Sequence, residues 1–174
     1  MNIKKMTIIS MIAALYTTLC MALAPLSFGA VQVRVSEALT LLPVFSVTGI
    51  WGVTLGCALS NLIGFFTGVN VLGLFDVFFG TIATLFAAIL TRKARKIRLF
   101  GIPFLSAVPP VIINALIIGT ELSVILSSGG NFCEVFVINF SYICIGQFFA
   151  CFLLGIPFTM ILEKTGVGKK CLEL

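Results

Sequence analysis

Arg34 and Glu37 stand three residues apart in Arg34-Val35-Ser36-Glu37, shortly after Pro25 and Gly29. A forked donor and a two-oxygen acceptor so placed can grip opposite edges of one polar solute. The same spacing suits an interfacial salt bridge or a snorkelling pair equally well. Alternation through Val31-Gln32-Val33-Arg34-Val35 predicts a short extended piece with its polar residues on one side. Asn61, Asp76, Asn114, Asn139 and Gln147 each interrupt an apolar run. A buried amide needs a partner, so each either bonds a neighbouring helix or lines a wet cavity. Asp76 also opens an apolar run and is equally suited to cap a helix over Val77 to Thr91. Tyr16, Phe28, Trp51 and Tyr142 offer flat faces to a planar ligand, although Trp and Tyr belong as readily to an interfacial belt.

Other chemistries lack their agents. The chain has no His, and its Cys residues (Cys20, Cys57, Cys133, Cys144, Cys151, Cys171) form no CxxC pair. A metal site, a Cys-His nucleophile and neutral-pH general-base catalysis are therefore unsupported, and no cofactor is expected. The glycines form neither GxxxxGK[ST] nor GxGxxG, so the chain itself binds no ATP by a P-loop, and any active transport would draw on a partner or an ion gradient. The basic cluster Arg92 to Arg98 reads as an orientation signal against anionic lipid headgroups rather than a nucleic-acid surface.

The elements that position these residues follow from the distribution of charge. Of 174 residues, 60% are hydrophobic and 10% charged, against roughly 25% charged in a soluble domain. Charge is absent from Met6 to Val33, Ala38 to Phe75, Val77 to Thr91, Leu99 to Thr120 and Val135 to Leu162. A helix crosses the hydrocarbon core in about 20 apolar residues. Ten of the eleven Lys and Arg residues can share the cytoplasmic side only if three spans separate Arg34 from Arg92. The expected fold is thus an all-α integral membrane bundle of six transmembrane helices, one domain over residues 1–174, with both termini cytoplasmic. The first span is the initial charge-free run, read as a retained helix rather than a cleaved signal sequence. The others are Ala38 to about Val47, about Gly49 to Phe66, about Phe75 to Thr91, about Leu99 to Gly119 and about Glu134 to Leu162. The second, carrying Pro43, is too short to be expected to cross fully. Glu37, Asp76, Glu121 and Glu134 then fall on the external side. Ser10, Ala14, Thr18 and Ala22 recur at four-residue spacing on the first helix, a row that admits close approach of another helix from this bundle or from a partner.

The words of the sequence carry a resemblance. Ala13-Ala14-Leu15-Tyr16, then Leu23-Ala24-Pro25-Leu26-Ser27-Phe28-Gly29, then Val33-Arg34-Val35-Ser36-Glu37-Ala38-Leu39-Thr40-Leu41-Leu42-Pro43 resemble the QueT family, in order. Gly73-Leu74-Phe75-Asp76-Val77-Phe78-Phe79-Gly80-Thr81-Ile82-Ala83-Thr84-Leu85 looks like the same family's central motif. The resemblance implies a substrate-binding S-component of an energy-coupling factor transporter, importing a deazaguanine-type queuosine precursor. Such a subunit binds no ATP and works with a transmembrane coupling protein and two cytoplasmic ATPases. The same resemblance implies that the row Ser10, Ala14, Thr18, Ala22 faces the coupling protein, although the strict small-residue pattern is altered here to Ala14-Leu15-Tyr16-Thr17-Thr18. Glu37 would accept the donor edge of the base, Arg34 would bond an acceptor or orient Glu37, Asn61 and Asp76 would add polar contacts, and Trp51 or Tyr16 would stack. For a solute with an aminomethyl cation, Asp76 or Glu121 is the natural counter-charge. An S-component for another vitamin-like solute and a non-binding membrane assembly subunit are the rival readings.

Overall fold

The computed structural model describes residues 3–29, 32–127, 131–166 and 168; Val31 of the expected extended piece, and Lys169, Lys170 and Cys171, lie outside them. Among the described residues there is no strand, and the helices follow local chemistry closely. Helix α1 (Ile3–Ala22) contains neither Gly nor Pro and gives way to a single turn, α2 (Ala24–Ser27), with Pro25 in its first turn. Helix α3 (Val47–Phe66) is capped by Ser46, whose Oγ accepts the Gly49 N–H at 3.2 Å. Helix α4 (Leu74–Ala94) follows Gly73, which turns the chain through φ 66°, and ends with Arg92 and Lys93 in its last turn. Helix α5 (Val108–Leu126) starts on Pro109-Pro110, and α6 (Phe132–Phe148) on Asn131, whose side chain accepts the Cys133 N–H at 3.2 Å.

Helix α6 continues through a π-helical turn (Phe149–Gly155) into α7 (Ile156–Lys164). Pro157 explains the wide turn: it lacks the amide that would bond the Leu153 carbonyl, and its ring pushes that carbonyl aside. Five stretches are long and apolar enough to cross a bilayer: Ile3–Ala22, Val47–Phe66, Leu74–Ala94, Phe104–Leu126 and Phe132–Lys164.

The sixth expected span is a 310 helix, Val35–Val44, in which every residue from Ser36 to Val44 is buried. At about 2.0 Å per residue its ten residues reach about 20 Å, where an α-helix would reach about 15 Å. One end lies beside Asp76, through Arg34; the other lies beside Arg92, whose guanidinium donates to the Pro43 carbonyl at 3.0 Å. Irregular backbone at this depth is tolerated because protein, not lipid, surrounds it. Leu39, Leu42 and Phe45 pack with Ile12, Tyr16, Ile50, Val53 and Cys57, while Leu41 packs with Ala107, Val111, Cys151 and Ile156.

The contact of α1 with α3 rests on a small-residue stripe, but not the expected one. Gly52, Gly56, Ser60 and Gly64 recur every four residues on α3. A Cβ at Gly52 would lie 2.7 Å from the Ile12 Cβ, and one at Gly56 2.6 Å from the Tyr16 Cβ. Only glycine lets the two backbones come so near. The α1 row Ser10, Ala14, Thr18 and Ala22 points the other way, and all four residues are exposed.

Two boundaries also differ from the sequence reading. The expected span from about Leu99 to Gly119 begins instead with a tight turn, Leu99 bonded to Ile102, and a 310 turn at Phe104–Ala107. Its α-helix runs seven residues past Gly119 to Leu126, so Glu121 sits inside a helix rather than on an external connection. The proline pair at 109–110 sets the start, and the helix carries a buried carboxylate past the point where charge was expected to end it.

Candidate functional site

Tyr16, Arg34, Glu37, Asn61 and Asp76 converge at the Asp76 end of the bundle, and each is buried. The α3 glycine stripe fixes Tyr16, whose hydroxyl donates to Glu37 Oε1 at 2.5 Å. Arg34 precedes the 310 helix in extended backbone, so its side chain reaches across to α4. There its Nη2 donates to Asp76 Oδ2 at 2.6 Å, while Nε donates to the Ser27 carbonyl at 3.1 Å. The guanidinium also lies 5.2 Å from the centre of the buried Phe28 ring. Asn70 donates to the same Asp76 Oδ2 at 3.0 Å, and Asn61 donates to the Asp76 carbonyl at 2.8 Å. Asp76 is therefore not a helix cap, because Gly73 occupies that position; it is the anchor of a buried ion pair.

Three oxygens in this cluster are buried without a hydrogen-bond partner: Glu37 Oε2, Asn61 Oδ1 and Asp76 Oδ1. Buried acceptors are normally satisfied, so unfilled ones mark where a donor belongs. Beside them is an enclosed cavity of about 10 Å³, about the space one water needs. Its polar lining is Gln32, Arg34, Glu37, Thr84, Asn114 and Gln147, with Gly80, Ile118 and Ile143 completing the wall. The loop before the 310 helix, the 310 helix itself, α4, α5 and α6 each contribute. Gly80 is required where α4 passes the cluster, since a Cβ there would lie 2.5 Å from Asp76 Oδ1 and 2.7 Å from Asn61 Nδ2.

With one guanidinium facing two carboxylates, the site offers more acceptors than donors, which suits recognition of a donor-rich solute. Among the described residues, no three of Cys, Asp and Glu come together to hold a metal ion.

Trp51 is not brought to this cluster. It is 54% exposed on α3, ten residues and about 15 Å along the helix from Asn61. Tyr142 is likewise exposed on α6. Of the other amides, Asn114 and Gln147 line the cavity, whereas Asn139 ties α6 to α5 by donating to Ser123 Oγ at 3.1 Å. Sequence reasoning missed Gln32, Asn70 and Thr84. The alternation that put Gln32 on the same side as Arg34 was the one signal for it, whereas Asn70 lies in a connection and Thr84 looks like an ordinary helix residue.

The sequence profile described as QueT transporter matches residues 6–164. The curated Queuosine precursor transporter QueT of Lactococcus lactis subsp. cremoris is 42% identical over 66 residues. That alignment covers 37% of this chain and 38% of the relative's length. No solved structure matches the chain. With nearly its whole length matched and five long apolar helices, this multi-pass membrane protein belongs to the QueT transporter family.

Proposed function

We propose that this chain is the solute-capturing subunit of an energy-coupling factor importer, taking a planar deazaguanine-type queuosine precursor from outside the cell. The observation that carries the reading is Glu37, buried in the bundle with one oxygen fixed by Tyr16 and the other unfilled beside an enclosed polar cavity. A guanine-like edge presents adjacent N–H donors, and Glu37 can accept both, since Oε1 keeps a second lone pair beside the Tyr16 bond. Asn114, Gln147 and Arg34 supply donors for the carbonyl and ring acceptors of such a base. The flat faces meet Ile118 and Ile143, not Trp51. The name of the Lactococcus relative points to the same solute class.

A bicyclic base needs far more room than the cavity gives, so loading displaces the segment carrying Gln32 and Arg34. The Arg34–Asp76 pair is the latch on that segment. The whole chain acts as one membrane unit of six passages, with the 310 helix as the second. The Asp76 end faces outward and both termini face the cytoplasm. Lys4 and Lys5 at the start of α1, Arg92 and Lys93 at the end of α4, and Lys164 at the end of α7 then share the inner side, as the positive-inside rule requires. The exposed row Ser10, Ala14, Thr18, Ala22 is the docking face for the coupling protein, whose two ATPases supply the energy.

The test is thermal unfolding of the purified protein with queuine, its aminomethyl precursor, guanine, riboflavin and thiamine. A ligand that binds only the folded state raises its stability by mass action. The reading expects a shift with a deazaguanine alone, weakened about 10- to 150-fold in affinity by Glu37→Gln, the loss of one charge-assisted hydrogen bond. A shift with a vitamin instead would keep the architecture and replace the solute, whereas no shift with any ligand would favour a non-binding subunit.

A further inference from the structure

Between α4 and α5 lies a groove of about 780 Å³, separate from the enclosed cavity. That volume falls within the range of about 300–1,000 Å³ that small-molecule sites occupy. Phe75, Phe79, Leu116, Val124 and Ile125 line it, and all are exposed, so they face the bilayer rather than the bundle interior. One lining residue breaks the pattern. Glu121 is only 8% exposed, and neither of its carboxylate oxygens has a hydrogen-bond partner.

A carboxylate within a membrane-spanning helix is costly and is kept where a partner meets it. Nothing in the groove wall can serve. The neighbouring Thr120 hydroxyl donates back to the Leu116 carbonyl at 2.6 Å, and the remaining lining is hydrocarbon. Nor does any Lys or Arg among the described residues bond to it. Arg34 is held by Asp76 and the Ser27 carbonyl, and the lysines and arginines that border α1, α4 and α7 lie at the opposite end of the bundle. The partner must therefore come from the bilayer, with a long apolar body and a cationic donor. Glu121 lies five residues, about 8 Å along the axis, from the end of α5 at Leu126, a depth that a headgroup reaches and an acyl terminus does not.

From this placement we infer that the α4–α5 groove binds a membrane lipid bearing a primary ammonium headgroup, with Glu121 accepting from the ammonium and the apolar wall holding the chains. The groove shares no lining residue with the solute cavity, so lipid retention is read apart from the transport reading.

The experiment is native mass spectrometry, with thermal unfolding in parallel, of the full chain in micelles doped with phosphatidylethanolamine, phosphatidylcholine or phosphatidylglycerol of matched acyl composition. Phosphatidylcholine carries the same positive charge without an N–H, so it separates hydrogen bonding from charge. The expected result is retention of phosphatidylethanolamine about tenfold above either competitor, the ratio one charge-assisted hydrogen bond supports. Glu121→Gln should abolish that preference. Val124→Trp fills the groove from an exposed position without touching the carboxylate, and should reduce retention of every lipid. Equal retention of phosphatidylethanolamine and phosphatidylcholine overturns the inference, as does a preference that survives Glu121→Gln. If Glu121→Gln does not fold, Val124→Trp decides: phosphatidylethanolamine retention undiminished there overturns the inference too.

Discussion

Replacing Gly80 by Ala sets two effects of opposite sign against each other. In an unobstructed helix the change is stabilising by about 1 kcal/mol, because glycine loses more backbone freedom on folding. Here the new Cβ would fall 2.5 Å from Asp76 Oδ1 and 2.7 Å from Asn61 Nδ2. Neither atom is free to retreat. Asp76 is pinned through Oδ2 by Arg34 at 2.6 Å and Asn70 at 3.0 Å, and Asn61 Nδ2 is committed to the Asp76 carbonyl at 2.8 Å. Overpacking of a fixed site costs about 1–3 kcal/mol, and loosening one buried charge-assisted hydrogen bond adds about 1.5–3 kcal/mol. After the propensity gain the net loss is about 1.5–5 kcal/mol. At roughly 2–4 °C per kcal/mol for a chain of this size, the melting temperature should fall by about 3–20 °C. Thermal unfolding in one detergent, wild type beside variant, measures this directly. A melting temperature that is unchanged or raised would refute the claim that Asp76 and Asn61 are held rigidly against α4.

Further outcomes follow from neighbouring contacts. Arg34→Ala leaves Asp76 buried without its cation and should cost about 3–5 kcal/mol in thermal unfolding, with part of the loss recovered by adding Asp76→Asn. Gly56→Leu drives α1 off α3 through Tyr16; it should lower both melting temperature and solute affinity, whereas Tyr16→Phe, which removes only the hydrogen bond to Glu37, should lower stability by about 1–3 kcal/mol. Arg98 and Glu163 form a bidentate but partly exposed pair, so Arg98→Ala should change stability by less than about 1 kcal/mol, and by less still at high salt.

The charge-free runs located the long helices well because lipid forbids unpaired charge, and that constraint is written directly in composition. It is weaker at the boundaries. Treating Glu121 as the end of a span misplaced α5, although the proline pair 109–110 marked its true start. The run with Pro43 was legible as too short for an ordinary spanning helix, but Val35–Val44, interrupted by Ser36, Glu37 and Thr40, carries no period that separates a 310 from an α-helix. Small-residue spacing revealed a surface on α1 without saying what covers it; Gly52 and Gly56 on α3, which seat α1, went unremarked because their neighbours are as apolar as any lipid-facing stretch. At the site, Tyr16, Arg34, Glu37, Asn61 and Asp76 meet although Tyr16 and Asp76 are sixty positions apart. Trp51 does not join them, because an aromatic type carries no information about which side of its helix faces inward.

The buried 310 helix has a consequence for how the chain is made. Membrane insertion accepts a segment when about 20 apolar residues partition together, and Val35–Val44 is half that length. It cannot enter lipid alone, and its irregular backbone would be unprotected there. Its place must therefore be settled late, when α1 and α3 have closed on their glycine stripe and α4 offers Asp76 to Arg34. Until then the nascent protein holds a ten-residue segment, Glu37 included, with no place of its own, and a variant that weakens the surrounding helices should be recognised first by the membrane quality-control proteases.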